Sequence, residues 1–158
     1  MSRSHCTLPS PLGPLTLVAD DGALVGVYMA GHRHAPTDHG PVDEEAAPLP
    51  EARRQLTEYF AGARQGFDLP VRSPGTEFQQ RVWAALERIP YGETWSYARL
   101  ATEIGNPKAA RAVGLANGRN PVSIVVPCHR VVGASGALTG YGGGVENKRI
   151  LLDLERSL

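Results

Sequence analysis

The sequence predicts an α/β (α+β) fold. A small N-terminal domain, with a three-stranded antiparallel sheet and a helix, packs on a mostly helical C-terminal domain that carries a helix-turn-helix. Three observations predict it. Two short apolar runs flank the turn residues Asp20-Asp21-Gly22-Ala23, helical periodicity dominates after residue 75, and Ser73-Pro74-Gly75 breaks the chain between them. The units are therefore 1–74 and 75–158. With 158 residues, 42% of them apolar, the chain can bury roughly two-thirds of its unfolded surface.

Leu15–Ala19 and Leu24–Met29 form the expected hairpin. Gly31 to Pro50, rich in His, Pro, Asp and Glu, reads as a long loop. Leu56, Tyr59 and Phe60 place a helix over roughly Pro50–Ala61, and Phe67–Val71 returns as the third strand. In the second unit Thr76 and Gln79 have capping-box spacing. Phe78, Val82, Ala85, Leu86 and Ile89 then line one helical face until Pro90-Tyr91-Gly92 ends it. A short helix capped by Ser96 puts Tyr97, Leu100, Ala101 and Ile104 on one face. After Gly105, Asn106 suits the N-cap and Pro107 the first position of a helix running to about Asn117, which completes the helix-turn-helix. Ala109, Ala110, Ala112, Gly114 and Ala116 make that helix smooth, so it is either buried against its neighbours or shaped for close approach to a partner. Arg111 projects alone from it, as a side chain entering a groove would.

No apolar run reaches the ~18–20 residues that span a bilayer. Met1–Pro9 has no apolar secretory core, and two cysteines, Cys6 and Cys128, make no disulfide framework. A reducing cytosol and a monomer without membrane contact are expected. Net charge is zero, yet residues 1–75 hold six Arg against nine acids and residues 76–158 hold ten cations against seven. From Ile104 to Val145 there are four cations (Lys108, Arg111, Arg119, Arg130) and no acid. Charge alone leaves both a solvated face and a polyanion-binding face open.

The densest chemistry lies in Asn120 to Val132. Ser123–Val126 reads as a buried strand that ends at Pro127, leaving Cys128 at its mouth beside His129. A thiol is a nucleophile only as its thiolate, and an imidazole can take its proton. On an extended strand these neighbours would face opposite ways, so a turn after Pro127 or a bridging water is needed. Taken singly, Cys128 also fits an inert core residue.

Here the sequence resembles a known family. Pro127-Cys128-His129-Arg130-Val131 is the signature of the O6-alkylguanine-DNA alkyltransferases. Phe78–Trp83, Ile89–Thr94, Gly105–Gly114, Asn117–Pro121, Leu138–Gly144 and Lys148–Glu155 match as well, so the resemblance runs from about Gly75 to Arg156. Ser10–Leu15 also looks like the family's N-terminal strand entry. The resemblance implies a suicide DNA-repair protein. Cys128 takes the alkyl group from O6-alkylguanine, and from O4-alkylthymine, after the base is flipped from the minor-groove side of double-stranded DNA. No cofactor takes part. It implies that His129 acts as base through a water, that Glu155 orients His129, that Asn120 braces the turn before the active-site segment, and that Tyr97 helps rotate the nucleotide and protonate the leaving group. Arg111 would fill the gap left by the flipped base, with Lys108, Ala109, Ala110, Tyr97 and Arg119 also at the DNA. Val131, Tyr141, Gly142 and Gly143 would form the alkyl pocket, with 141–144 as its lid. Several members carry Ser where this chain has Gly142, so a side-chain contact is lost there.

Cys6 with His5, His32, His34 and His39 resembles a zinc set, but Asp20 and Val25 stand where two of the family's ligands would align, and no structural zinc is expected. Two other readings are a non-transferring lesion-binding relative, which Cys128 argues against, and an unrelated cysteine hydrolase using Cys128, His129 and Glu155, which Arg111 and the acid-free stretch argue against.

Overall fold

The computed structural model describes residues 3–156. Strands β1 (Arg3–Leu8), β2 (Leu15–Asp20) and β3 (Ala23–Tyr28) form one antiparallel sheet in that order. The Asp21-Gly22 turn closes the predicted hairpin with both residues at positive φ, 50° and 79°. The third strand is β1, not Phe67–Val71. That segment meets the other edge of the sheet through a single bridge, Val71 to Leu24, because Pro70 and the nearby Pro74 leave few donors for a ladder. Helix α1 (Leu49–Phe60) covers the sheet with Leu49, Ala52, Leu56 and Tyr59 buried.

In the second unit α2 (Glu77–Leu86) opens on the predicted capping box: Thr76 Oγ1 accepts from Gln79 N–H at 3.1 Å, and Gln79 Oε1 accepts from Thr76 N–H at 3.0 Å. Strand β4 (Trp95–Ser96) runs parallel to β5 (Val131–Val132). Helices α3 (Tyr97–Glu103) and α4 (Ala110–Gly118) pack on each other and on α2, and α5 (Val145–Arg156) closes the chain. Apolar side chains of both units merge into one core, from Leu15 and Leu56 to Leu86, Val113, Val131 and Leu151. Among the described residues no helix is long and apolar enough to cross a membrane.

Two local readings are corrected. Helix α4 starts at Ala110, three residues later than Pro107. Asn106 is committed to ending α3: its N–H donates to Ala101 O at 3.0 Å, and Gly105 N–H, at φ 82°, donates to Thr102 O at 3.0 Å. This is the paired C-cap of a Schellman motif, so Asn106 belongs to the end of α3, and the N-cap position of α4 falls to Ala109. Ser123–Val126 is a tight turn rather than a strand. Val125 N–H donates to Ser123 O, Val126 N–H to Val122 O, and Ile124 sits at φ 75°. A β-branched residue there costs about 1–2 kcal/mol, offset by the near-complete burial of its side chain.

Candidate active site

The turn at 122–126 delivers Cys128 to the first position of a single 3-10 turn, Cys128–Arg130. Asn120 makes that path rigid. Its Oδ1 accepts from Val122 N–H at 3.1 Å, and its Nδ2 donates to Val126 O at 2.9 Å, which braces the turn across its base. From α4, Asn117 Nδ2 donates to Cys128 O at 3.3 Å. The 3-10 turn also answers the opposite-faces difficulty of an extended chain, because Cys128 and His129 are both directed inward, 3% and 0% exposed.

Behind the thiol lies a closed polar network. His129 Nε2 donates to Glu155 Oε2 at 2.7 Å, and Tyr59 Oη donates to the same oxygen at 2.6 Å. Arg130 Nε donates to Glu155 Oε1 at 2.8 Å, Arg130 Nη2 to Oε2 at 3.0 Å, and Arg130 Nη1 to Ile89 O at 2.8 Å. Burial pushes the Glu155 carboxyl upward, but the hydrogen bonds from His129, Arg130 and Tyr59 outweigh it and hold the group well below the usual carboxylate range. For His129 the balance falls the other way. Burial lowers its pKa and Arg130 adds to that, against the pull of Glu155. Arg130 already neutralises the carboxylate, so the imidazole is neutral at pH 7. Its Nε2–H is committed to Glu155, and its buried Nδ1 has no hydrogen-bond partner among the described residues. Burial likewise raises the Cys128 thiol above its ordinary value of 9.0, opposed by Asn120, by the Lys148 charge and by Ser123. The free protein therefore holds a thiol rather than a standing thiolate, and proton removal belongs to the reaction itself.

Lys148 is fully buried on α5, and its Nζ donates to Thr139 O at 2.9 Å. Tyr97 Oη donates to the same carbonyl at 2.9 Å, and the Lys148 ammonium lies 6.0 Å from the Tyr97 ring centre. Burial brings the Lys148 amine down to about 8. Tyr141 is buried, and burial raises its phenol well above the ordinary value. Val131 is buried in β5. Gly142 and Gly143 follow Tyr141 directly in the chain.

Arg111 stands exposed on the second residue of α4 and makes no ion pair among the described residues. Lys108 and Arg119 are exposed at either end of that helix, and Ala109 and Ala110 are half-buried at its start. Ala109, at the N-cap, makes no side-chain cap, so the first backbone N–H groups of α4 are free to meet an anion. A cleft of about 490 Å³ borders the same helix, lined by Arg33, Ala112, Leu115, Arg119 and Tyr141 among others.

Sequence reasoning missed Tyr59, Arg130 and Lys148 as members of the site. Lys148 and Glu155 were legible in principle, since Lys148, Leu151, Leu152 and Glu155 recur at helical spacing and form one buried face of α5. Tyr59, 96 positions from Glu155, carried no local signal. In the N-terminal unit Tyr28 packs on His32 and His39 at 5.3 and 5.7 Å between ring centres. His5 Nδ1 is bonded to Gly40 O at 2.8 Å.

Family models match almost the whole chain. The 6-O-methylguanine DNA methyltransferase DNA-binding domain matches residues 77–157, and the ribonuclease-like domain of the same family matches residues 5–73. The chain belongs to the 6-O-methylguanine DNA methyltransferase family. Among relatives in this family, the methylated-DNA–protein-cysteine methyltransferase of Mycobacterium bovis is 54% identical over 152 residues, covering 96% of this chain and 91% of the relative. The constitutive methylated-DNA–protein-cysteine methyltransferase of Bacillus subtilis is 47% identical over 156 residues, covering 96% and 94%. The crystal structure of the family member from Mycobacterium tuberculosis in complex with DNA superposes with a TM-score of 0.91 at 52% identity, covering 98% of this chain and 93% of that one.

Proposed function

We propose that this protein repairs DNA by direct reversal, moving an alkyl group from O6 of a flipped guanine, or O4 of thymine, onto Cys128, once per molecule. Cys128 Sγ attacks the sp3 carbon of the alkyl group. A carbon–sulfur bond forms, the carbon–oxygen bond breaks, and the electron pair leaves on the base oxygen. The thiol proton passes through a water to His129 Nδ1, the nitrogen left free when Nε2–H is held by Glu155. The leaving base takes its proton from the Tyr97 side. The thioether has no route back, and no cofactor enters the balance.

The observation that carries this reading is the buried imidazole–carboxylate pair beside the thiol: a neutral His129, fixed in one tautomer by an ionised Glu155, next to a cysteine that needs a base. DNA engagement falls to the second unit, 75–158, and the first, 1–74, supports it. Arg111 occupies the space of the everted base, while Lys108, Arg119 and the uncapped start of α4 meet phosphates on the minor-groove side. Val131, Tyr141, Gly142 and Gly143 enclose the adduct. The protein works as a monomer, inside the cell with access to chromosomal DNA.

Titrating the protein against duplex DNA carrying one O6-methylguanine tests this. Repair should stop at one equivalent, and C128S should bind the duplex but repair none of it. Turnover beyond one equivalent, or repair by C128S, would exclude the proposal.

A further inference from the structure

The segment Gly142–Gly143 is backed by the turn that follows the N-terminal sheet. Met29 N–H donates to His32 Nδ1 at 3.2 Å, and His32 N–H returns to Met29 O at 3.2 Å, so residues 29–32 close a turn that fixes the imidazole. Because Nδ1 accepts, Nε2 carries the hydrogen. Burial and the neighbouring His34 bring this imidazole down to about 4, so it is an uncharged contact at neutral pH. Arg33 N–H then donates to Gly142 O at 2.8 Å.

The fit against the segment is close. A β-carbon at Gly142 would stand 3.0 Å from His32 Nε2 and 3.2 Å from Gly118 O. One at Gly143 would overlap Met29 Sδ and stand 2.9 Å from Tyr141 Cε2. The space a side chain would occupy at 142 and 143 is thus already filled by the 29–32 turn. Tyr141, which immediately precedes them, is buried. Two glycines have no side chains with which to anchor themselves; Asn147 Nδ2 donates to Gly143 O at 2.9 Å from α5 on one side, and the 29–32 turn packs against the segment on the other.

We propose that the Met29–His32 turn of the N-terminal unit is a specificity-determining brace, with His32 its key side chain: by backing Gly142 and Gly143 it keeps the roof of the alkyl pocket from moving outward and so limits the size of alkyl group accepted. The proposal rests on the reading of Cys128 as alkyl acceptor and of 141–144 as the pocket roof. A methyl group needs no movement of the roof. A larger group does, and with His32 in place that movement must break the Arg33–Gly142 hydrogen bond and push the imidazole out of its turn.

The test compares the wild type, H32A, G142S and the double variant on duplex DNA bearing O6-methylguanine or O6-benzylguanine. H32A should raise the benzyl-to-methyl rate ratio by about threefold or more, as expected when a pocket gains room for added carbon. A smaller change overturns the proposal. Thermal unfolding supplies an independent reading. G142S should lower the melting temperature of the wild type more than that of H32A, since the clash partner is gone in the latter. Equal losses in both backgrounds overturn the contact on which the brace depends. Should the wild type fail to methylate Cys128 at all, the reading of the site fails, while the thermal comparison still decides whether His32 backs Gly142.

Discussion

Replacing Glu155 with Gln asks the most of the buried network. The carboxylate accepts from Tyr59, from His129 and twice from Arg130, and its side chain and that of Arg130 are 0% and 9% exposed. A glutamine keeps the shape but removes the charge, turns one acceptor into a donor facing Tyr59, His129 or Arg130, and leaves the guanidinium buried without its counter-ion. Breaking a buried pair from one side costs about 3–5 kcal/mol, a large part of the ~5–15 kcal/mol that holds a domain folded. For a chain of this length that is a fall of roughly 6–20 °C in melting temperature. Tyr59→Phe removes one hydrogen bond to a charged acceptor and should cost less, about 1.5–3 kcal/mol. Urea unfolding of the two variants beside the wild type measures both. The reasoning is wrong if E155Q loses under about 1 kcal/mol, or no more than Y59F, because Arg130 would then not depend on this carboxylate for its charge balance.

Three further outcomes follow from the same structure. Arg111→Ala should slow repair of duplex DNA far more than reaction with free O6-alkylguanine base, and equal slowing of both would remove Arg111 from the flipping step. Lys148→Met takes away a cation that favours the Cys128 thiolate, so the pH profile of Cys128 labelling by iodoacetamide should move to higher pH; a profile that stays in place would separate Lys148 from the thiol. Acid should unfold the protein in a defined window. His129 and His32 have folded pKa values below 6.5, that of His32 about 4, and Glu155 lies below 4.5. The unfolded chain thus binds protons first, and the stability these groups contribute is complete above about pH 6.5 and drains as pH falls through 4. Stability that is flat from pH 7 to pH 4 would contradict these assignments.

Much of this was legible because the informative signals are local. A capping box is two side chains three residues apart, and Thr76 and Gln79 form it as read. The Asp21-Gly22 hairpin and the Ser96 cap are equally short-range. The errors arose where distant demands override local preference. Asn106 has the chemistry of an N-cap, but it falls in the Schellman turn that ends α3, and α4 begins only after Ala109. Ser123–Val126 has the composition of a strand, yet Asn120 bonds Val122 N–H and Val126 O and folds the segment into a turn. Phe67–Val71 reads as well as Arg3–Leu8 does, and only pairing in three dimensions chooses between them. In the site, the Pro127–Val131 signature placed Cys128 and His129 in one step, whereas the contributions of Tyr59, Arg130 and Lys148 depend on α1 and α5 meeting the 3-10 turn. Gly142 is the instructive case. Its lack of a side chain looked like a lost contact, and the structure shows the imidazole of His32 in the space that side chain would need.

Intact-mass analysis after incubation with a duplex holding a single O6-methylguanine puts the central chemistry to trial most directly. One methyl should be gained in place of one hydrogen, and peptide mapping should find it on Cys128 in the wild type and nowhere in C128S. An unchanged mass after the lesion has disappeared, or a methyl group on Cys6, would contradict the account.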